Sequence, residues 1–71
     1  MKYYAMKKEI ADSMFDSLDI TVTRFRTAKD RNHYLEIHKD FLVPSSLEEK
    51  KLIEIAVTRN LFVNDVATLT Q

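Results

Sequence analysis

The groups in this 71-residue chain that could do chemistry are two imidazoles, eleven carboxylates, eleven basic side chains and a scatter of hydroxyls. His33 and His38 stand five residues apart in a segment that reads as a strand, so they point to opposite faces and do not share a metal ion. Ser13, Ser17, Ser45 and Ser46 have no neighbouring base that would activate a nucleophile. Asp12, Asp16 and Asp19 are scattered along a junction between elements, where turn and capping roles explain them better than acid–base pairing. The chain has no glycine, and a Walker loop, a dinucleotide fingerprint and a nucleophile elbow all require one where backbone meets ligand or turns sharply. It has no cysteine for a disulfide or a thiolate metal site. The expectation is a binding module, with neither enzymatic activity nor a cofactor.

Charge points to patches only, because eleven Lys and Arg balance eleven Asp and Glu to a formal net charge of zero. Arg24, Arg26, Lys29 and Arg31 form one such patch, with Phe25 and Tyr34 nearby, as in a ribbon-type nucleic-acid-binding regulator. Asp30 and Glu36 interleave with these bases, and a solvated strand edge that repels aggregation accounts for the pattern equally well. Tyr34, Glu36 and His38 share one parity, opposite Leu35 and Ile37. On that pattern Glu36 pairs with Arg24 across a hairpin, a surface pair worth about 0–1 kcal/mol.

The element that must position these residues runs from Asp16 to Val43 and reads as one β-hairpin. DSLDITVTRFRT forms the first arm, AKDRN the turn and HYLEIHKDFLV the second arm, in which Leu35, Ile37, Phe41 and Val43 supply the apolar residues. A five-residue turn places Arg24 opposite Glu36 and Phe25 opposite Leu35. Leu18, Ile20 and Val22 share one face, and Phe25 falls on the other; either a bulge lies near Thr23 or Arg24, or both faces of the strand are covered. Before the hairpin, Tyr3, Met6, Ile10 and Met14 recur at spacings of three and four, the pattern of an amphipathic helix over residues 2–14. After it, Pro44 ends the strand, and Ser46 with Glu49 makes a capping box for a helix over Ser46–Arg59. Leu52, Ile55 and Ala56 form its inner stripe, widened by Ile53 and Val57, and Asn60 is suited to close it. In the tail Leu61 and Val63 alternate like a strand, whereas Asn64, Asp65, Val66 and Ala67 could start another helical turn; a third strand at Leu61–Val66 is the favoured expectation, because a hairpin alone is not stable.

The fold class is therefore α+β: a hairpin plus a third strand with one main helix (β-β-α-β) in residues 15–71, preceded by a helical extension in residues 1–14. A chain this short buries only about 60% of its unfolded surface, and with no disulfide available self-association is the expected staple, so a homodimer is anticipated. No run approaches the ~18 apolar residues of a membrane span. The first residues, MKYYAMKKEI, lack a signal-peptide apolar core, which suggests a cytoplasmic protein.

At the expected hairpin the residues resemble the small uracil-DNA glycosylase inhibitors of protein-primed Bacillus phages. An Asp-Ser-x-Asp-Val/Ile-Thr run of that family is matched by Asp16, Ser17, Asp19, Ile20 and Thr21. Its Tyr-x-Glu-x-His-Lys run is matched by Tyr34, Glu36, His38 and Lys39. The resemblance covers about a third of the chain. It implies a homodimeric, non-enzymatic DNA mimic acting in the host cytoplasm, which occupies the DNA-binding face of the host glycosylase without itself binding nucleic acid or membrane. In the family a glutamate of the second strand stands in for a DNA phosphate, a role that passes to Glu36; a carboxylate can accept the backbone N–H bonds a phosphate oxygen would. An apolar groove at the dimer interface encloses the enzyme's intercalating leucine, and burying such a side chain is worth about 1.5–3 kcal/mol. Family members also carry a Phe-Glu pair soon after the hairpin and a Tyr three residues later. Here the nearest fit is Leu47 and Glu48, displaced by one residue, and Lys51 stands where the Tyr would be. The implied partner-binding set is thus Tyr34, Glu36, His38, Leu47 and Glu48.

Overall fold

The alternation of Leu18, Ile20 and Val22 belongs to a real strand, and that strand is the middle of the sheet. The computed structural model describes residues 2–12, 14 and 17–70, and of Asp12 the backbone alone. Ser13 and Asp16, and with Asp16 the first residue of the matched Asp-Ser-x-Asp-Ile-Thr run, lie outside the described residues. Strand β1 (Tyr3–Asp12), strand β2 (Ser17–Phe25), helix α1 (Ala28–Ile37), helix α2 (Leu47–Thr58) and strand β3 (Val66–Thr70) follow one another along the chain. The strands form one antiparallel sheet in the order β1-β2-β3. The described residues form a small α+β fold with a three-stranded sheet and two helices, in the order β-β-α-α-β.

Residues 3–12 are a strand, where the sequence pattern predicts a helix. Spacings of four fit both periods, so Met6 and Ile10 share a face in either reading; pairing decides between them. Tyr3 lies opposite Phe25, Met6 opposite Val22 and Ile10 opposite Leu18, with a bulge between Ile10 and Asp12. Ala5 is 0% exposed and Ile10 is 70% exposed, the reverse of what the helical stripe requires. This segment is an integral part of the sheet rather than an appended extension. The hairpin therefore joins β1 to β2, and the expected hairpin over Asp16–Val43 does not form.

Its supposed turn and the first half of its second arm are α1. Thr27 is the N-cap, its hydroxyl accepting the Asp30 N–H at 3.1 Å. Ala28, Arg31, Tyr34 and Leu35 make the half-buried stripe, at spacings of three and four. Ile37, read as inward from the strand pattern, is 61% exposed. The His38 N–H donates to the Tyr34 carbonyl at 2.8 Å, ending the helix. The chain then runs along the outer edge of β1, where Leu42 exchanges both backbone hydrogen bonds with Met6, at 2.8 and 2.9 Å. This pairing covers an edge that would otherwise be open.

Helix α2 forms as its caps predict. Ser46 Oγ accepts the Glu49 N–H and Glu49 Oε1 accepts the Ser46 N–H, both at 3.1 Å. Leu52 and Ala56 are buried, Ile53 and Ile55 half-buried, and Val57, expected to widen the inner stripe, is exposed. At the other end Asn60 takes φ 53°, its N–H bonding the Val57 carbonyl while the Leu61 N–H bonds the Ala56 carbonyl. That is a Schellman motif closed by asparagine in a chain that has no glycine. The tail turns later than the pattern suggests. Asn64 and Asp65 both have positive φ, between two mutual backbone bonds of Val63 and Val66. They form a two-residue primed turn, so the third strand begins at Val66, where the expected Leu61–Val66 strand ends.

Both faces of β2 are covered, which answers the parity of Phe25. On one face Met6, Ile20, Val22 and Ala67 pack with Leu52 and Ala56 of α2, flanked by Tyr4, Ile53, Leu61, Phe62 and Leu69. On the other, Phe25 meets Tyr34 of α1 with ring centroids 5.2 Å apart, and Ala5 and Thr23 are buried. The large side chains that are fully buried among the described residues are Met6, Ile20 and Val22, a small core.

Candidate functional site

The residues expected to meet a partner divide between the two faces of the sheet. Tyr34 of α1 and His38, which caps it, stack with centroids 4.1 Å apart, and Tyr34 meets Phe41 edge-on at 5.0 Å. Glu36 is exposed on the same helix, and its side chain takes part in no hydrogen bond or ion pair among the described residues. It does not share a strand face with Tyr34 and His38, because these residues follow a helical period. Nor does it pair with Arg24: that guanidinium holds Asp65 Oδ1 at 2.7 Å and lies 4.5 Å from the Phe62 ring centre. Leu47, 70% exposed, and Glu48, exposed, open α2 on the far side of the sheet.

The four cations read as a basic ribbon are separated in the same way. Arg24 belongs to β2 and is engaged by Asp65, while Arg31 lies on α1 with its guanidinium 5.4 Å from the Tyr3 ring centre. Arg26 and Lys29 are exposed on either side of Thr27. The ribbon is absent because the second arm is helical.

A groove of about 430 Å³ opens between α2 and the β1–β2 hairpin. Its floor is Leu18, Ile20, Leu52 and Ile55; its rim carries Glu48, Lys51 and the Lys8–Glu49 ion pair, at 2.9 Å. Glu49 is buried at 7% exposure, and the Lys8 ammonium, then the N–H groups of Ser45 and Ser46, hold its carboxyl down at about 2 from an ordinary 4.5. It is therefore ionised and committed to the helix cap. Glu48 is the rim carboxylate open to a partner. The floor residues come from β2 and α2, and only the packing of α2 on the hairpin places them side by side. Within each element they look like ordinary core residues, so the sequence carried no separate signal for a groove.

Chemically this arrangement can receive an apolar side chain and accept hydrogen bonds at its rim. No group of His, Cys, Asp and Glu able to hold a metal ion occurs among the described residues, and no described helix is long and apolar enough to cross a membrane. Fold and groove together define a small α+β protein with a surface suited to binding. Comparison with known protein families, with characterised proteins and with solved structures found no match.

Proposed function

We propose that this protein is a non-enzymatic inhibitor that works by protein contact, with a uracil-DNA glycosylase of its host as the partner. The observation that carries this reading is the groove: an apolar floor able to take an inserted side chain, with the free carboxylate of Glu48 at its rim and Leu47 exposed beside it, lying within one chain where the resemblance implies a groove between two copies. The resemblance of residues 16–21 and 34–39 to the phage inhibitors supplies the identity of the partner, and Glu36, unpaired and exposed, is available to stand in for a phosphate.

Tyr34, Glu36 and His38 lie with α1 on one face of the sheet, and Leu47 and Glu48 with α2 on the other. One monomer does not present both sets to a flat surface, whereas a homodimer can present one set from each copy. The thin core points the same way.

A glycosylase assay on a blunt uracil-containing duplex, beside a band shift with the same duplex at low and moderate salt, tests the proposal. Inhibition without binding along the duplex is expected; steep, salt-dependent binding of the duplex would instead mark a nucleic-acid regulator. Full enzyme activity at excess protein, with no enzyme retained on the immobilised chain, ends the glycosylase assignment.

A further inference from the structure

A second cavity, of about 300 Å³, lies at the outer edge of β1 where the two helix layers meet. Three cations reach it: Lys2 from just before β1, Arg31 from α1 and Lys50 from α2. Tyr3 and Tyr4, Pro44 and Ile53 supply flat and apolar walls.

Charge is distributed unevenly for a chain whose net charge is zero. Lys7 pairs with Glu9, Lys8 with Glu49 and Arg24 with Asp65. Lys2, Arg31 and Lys50 have no ion-pair partner among the described residues, which is equally true of Arg26, Lys29, Lys39, Lys51 and Arg59; what sets this cleft apart is that three such cations line it and no carboxylate does. The Arg31 guanidinium is nevertheless held in place, donating to Asn32 Oδ1 at 3.2 and 3.3 Å and lying over the Tyr3 ring. A backbone donor joins them. Met6 turns its N–H and carbonyl outward to Leu42, so Tyr4, two residues away, turns its own to the same edge. Continuing that register places Pro44 opposite Tyr4, and the Tyr4 N–H has no backbone partner among the described residues.

We propose that this cleft binds a nucleotide, either free or as the end of a single DNA strand, with its phosphate among Lys2, Arg31, Lys50 and the Tyr4 N–H and its base against the tyrosines. Converging cations and an N–H donor match a doubly charged phosphate, and aromatic faces match a base of any identity. The site is separate from the groove and independent of the glycosylase reading, so either can fail alone.

The test is a titration of the isotopically labelled full chain, followed by NMR, with thymidine monophosphate, inorganic phosphate, a short oligothymidylate and an oligoglutamate as probes. Thymidine monophosphate is expected to shift Tyr3, Tyr4, Arg31 and Lys50, and to bind more tightly than phosphate alone. Lys50→Gln and Arg31→Gln are each expected to weaken it by about tenfold or more while leaving the rest of the spectrum in place. Tighter binding of the oligothymidylate identifies a strand end as the source, and equal binding a free nucleotide; both support the site. Oligoglutamate binding as tight as the nucleotide, shifts that survive both substitutions, or no shift at these residues would overturn it.

Discussion

Lys8 and Glu49 lie 2.9 Å apart and join the first strand to the cap of α2. The carboxylate oxygen that does not face Lys8 accepts the N–H groups of both Ser45 and Ser46 at 3.1 Å. One side chain thus ties sheet, loop and helix together, and its ionisation is coupled to folding. Because its folded pKa, about 2, lies below the ordinary 4.5, the folded state binds fewer protons than the unfolded one between these values. The stabilisation is complete above about 4.5 and disappears as pH falls towards about 2. Urea melts across this range should show wild type losing stability more steeply than Glu49→Gln, with the two converging in acid; parallel profiles would contradict the coupling.

Removing the other half of the capping box isolates its local share. Ser46→Ala should cost about 1 kcal/mol, within a range of about 0.5–2, since the Glu49 N–H loses its acceptor. Ser45→Ala should stay within about 0.5 kcal/mol, because Ser45 contributes its backbone N–H and that remains. Equal losses from the two substitutions in chemical denaturation would count against the cap.

Met6 and Ile10 share a face of β1 but not its burial: Met6 is 0% and Ile10 70% exposed. Met6→Ala should therefore cost about 2–5 kcal/mol, enough to unfold a core this small, and Ile10→Ala about 0.5 kcal/mol or less. Comparable losses at both positions would contradict the packing of β1 described above.

On the proposed inhibitor function, Glu36→Gln and Glu48→Gln should leave the melting curve in place, as both carboxylates are exposed. Each should weaken glycosylase inhibition by roughly ten- to a hundredfold, the effect of removing a charged acceptor from a water-excluded contact. Arg24→Gln should reduce stability through Asp65 and Phe62 rather than change inhibition at equal folded concentration. Wild-type inhibition by both glutamate variants would remove the phosphate-mimic mechanism.

The homodimer is checked by light scattering at micromolar concentration. A dimer mass is expected, and dilution should lower thermal stability, because association stabilises the fold by mass action. A monomer mass throughout would leave the α1 and α2 residues unable to meet one partner surface together.

What the sequence determined by itself is what its neighbouring residues settle among themselves. Ser46 and Glu49 close a capping box within one turn, and Asn60 can take the left-handed conformation that ends the same helix, so α2 was legible to within a residue at its start. The alternation of Leu18, Ile20 and Val22 likewise identified a strand. Asn64 and Asp65 are suited to a primed turn, a local signal that places the third strand after them. Residues 3–12 and 33–43 were not decided locally. Each is a short apolar pattern that fits periods of two and of three to four, and in such a segment long-range pairing and burial outweigh propensity. Only the tertiary structure set Met6 between Val22 and Leu42, put α1 over Phe25, and gave Arg24 to Asp65 in place of Glu36. The groove and the cationic cleft belong to that same category, since each is lined from several elements whose meeting is a property of packing, not of any one stretch of chain.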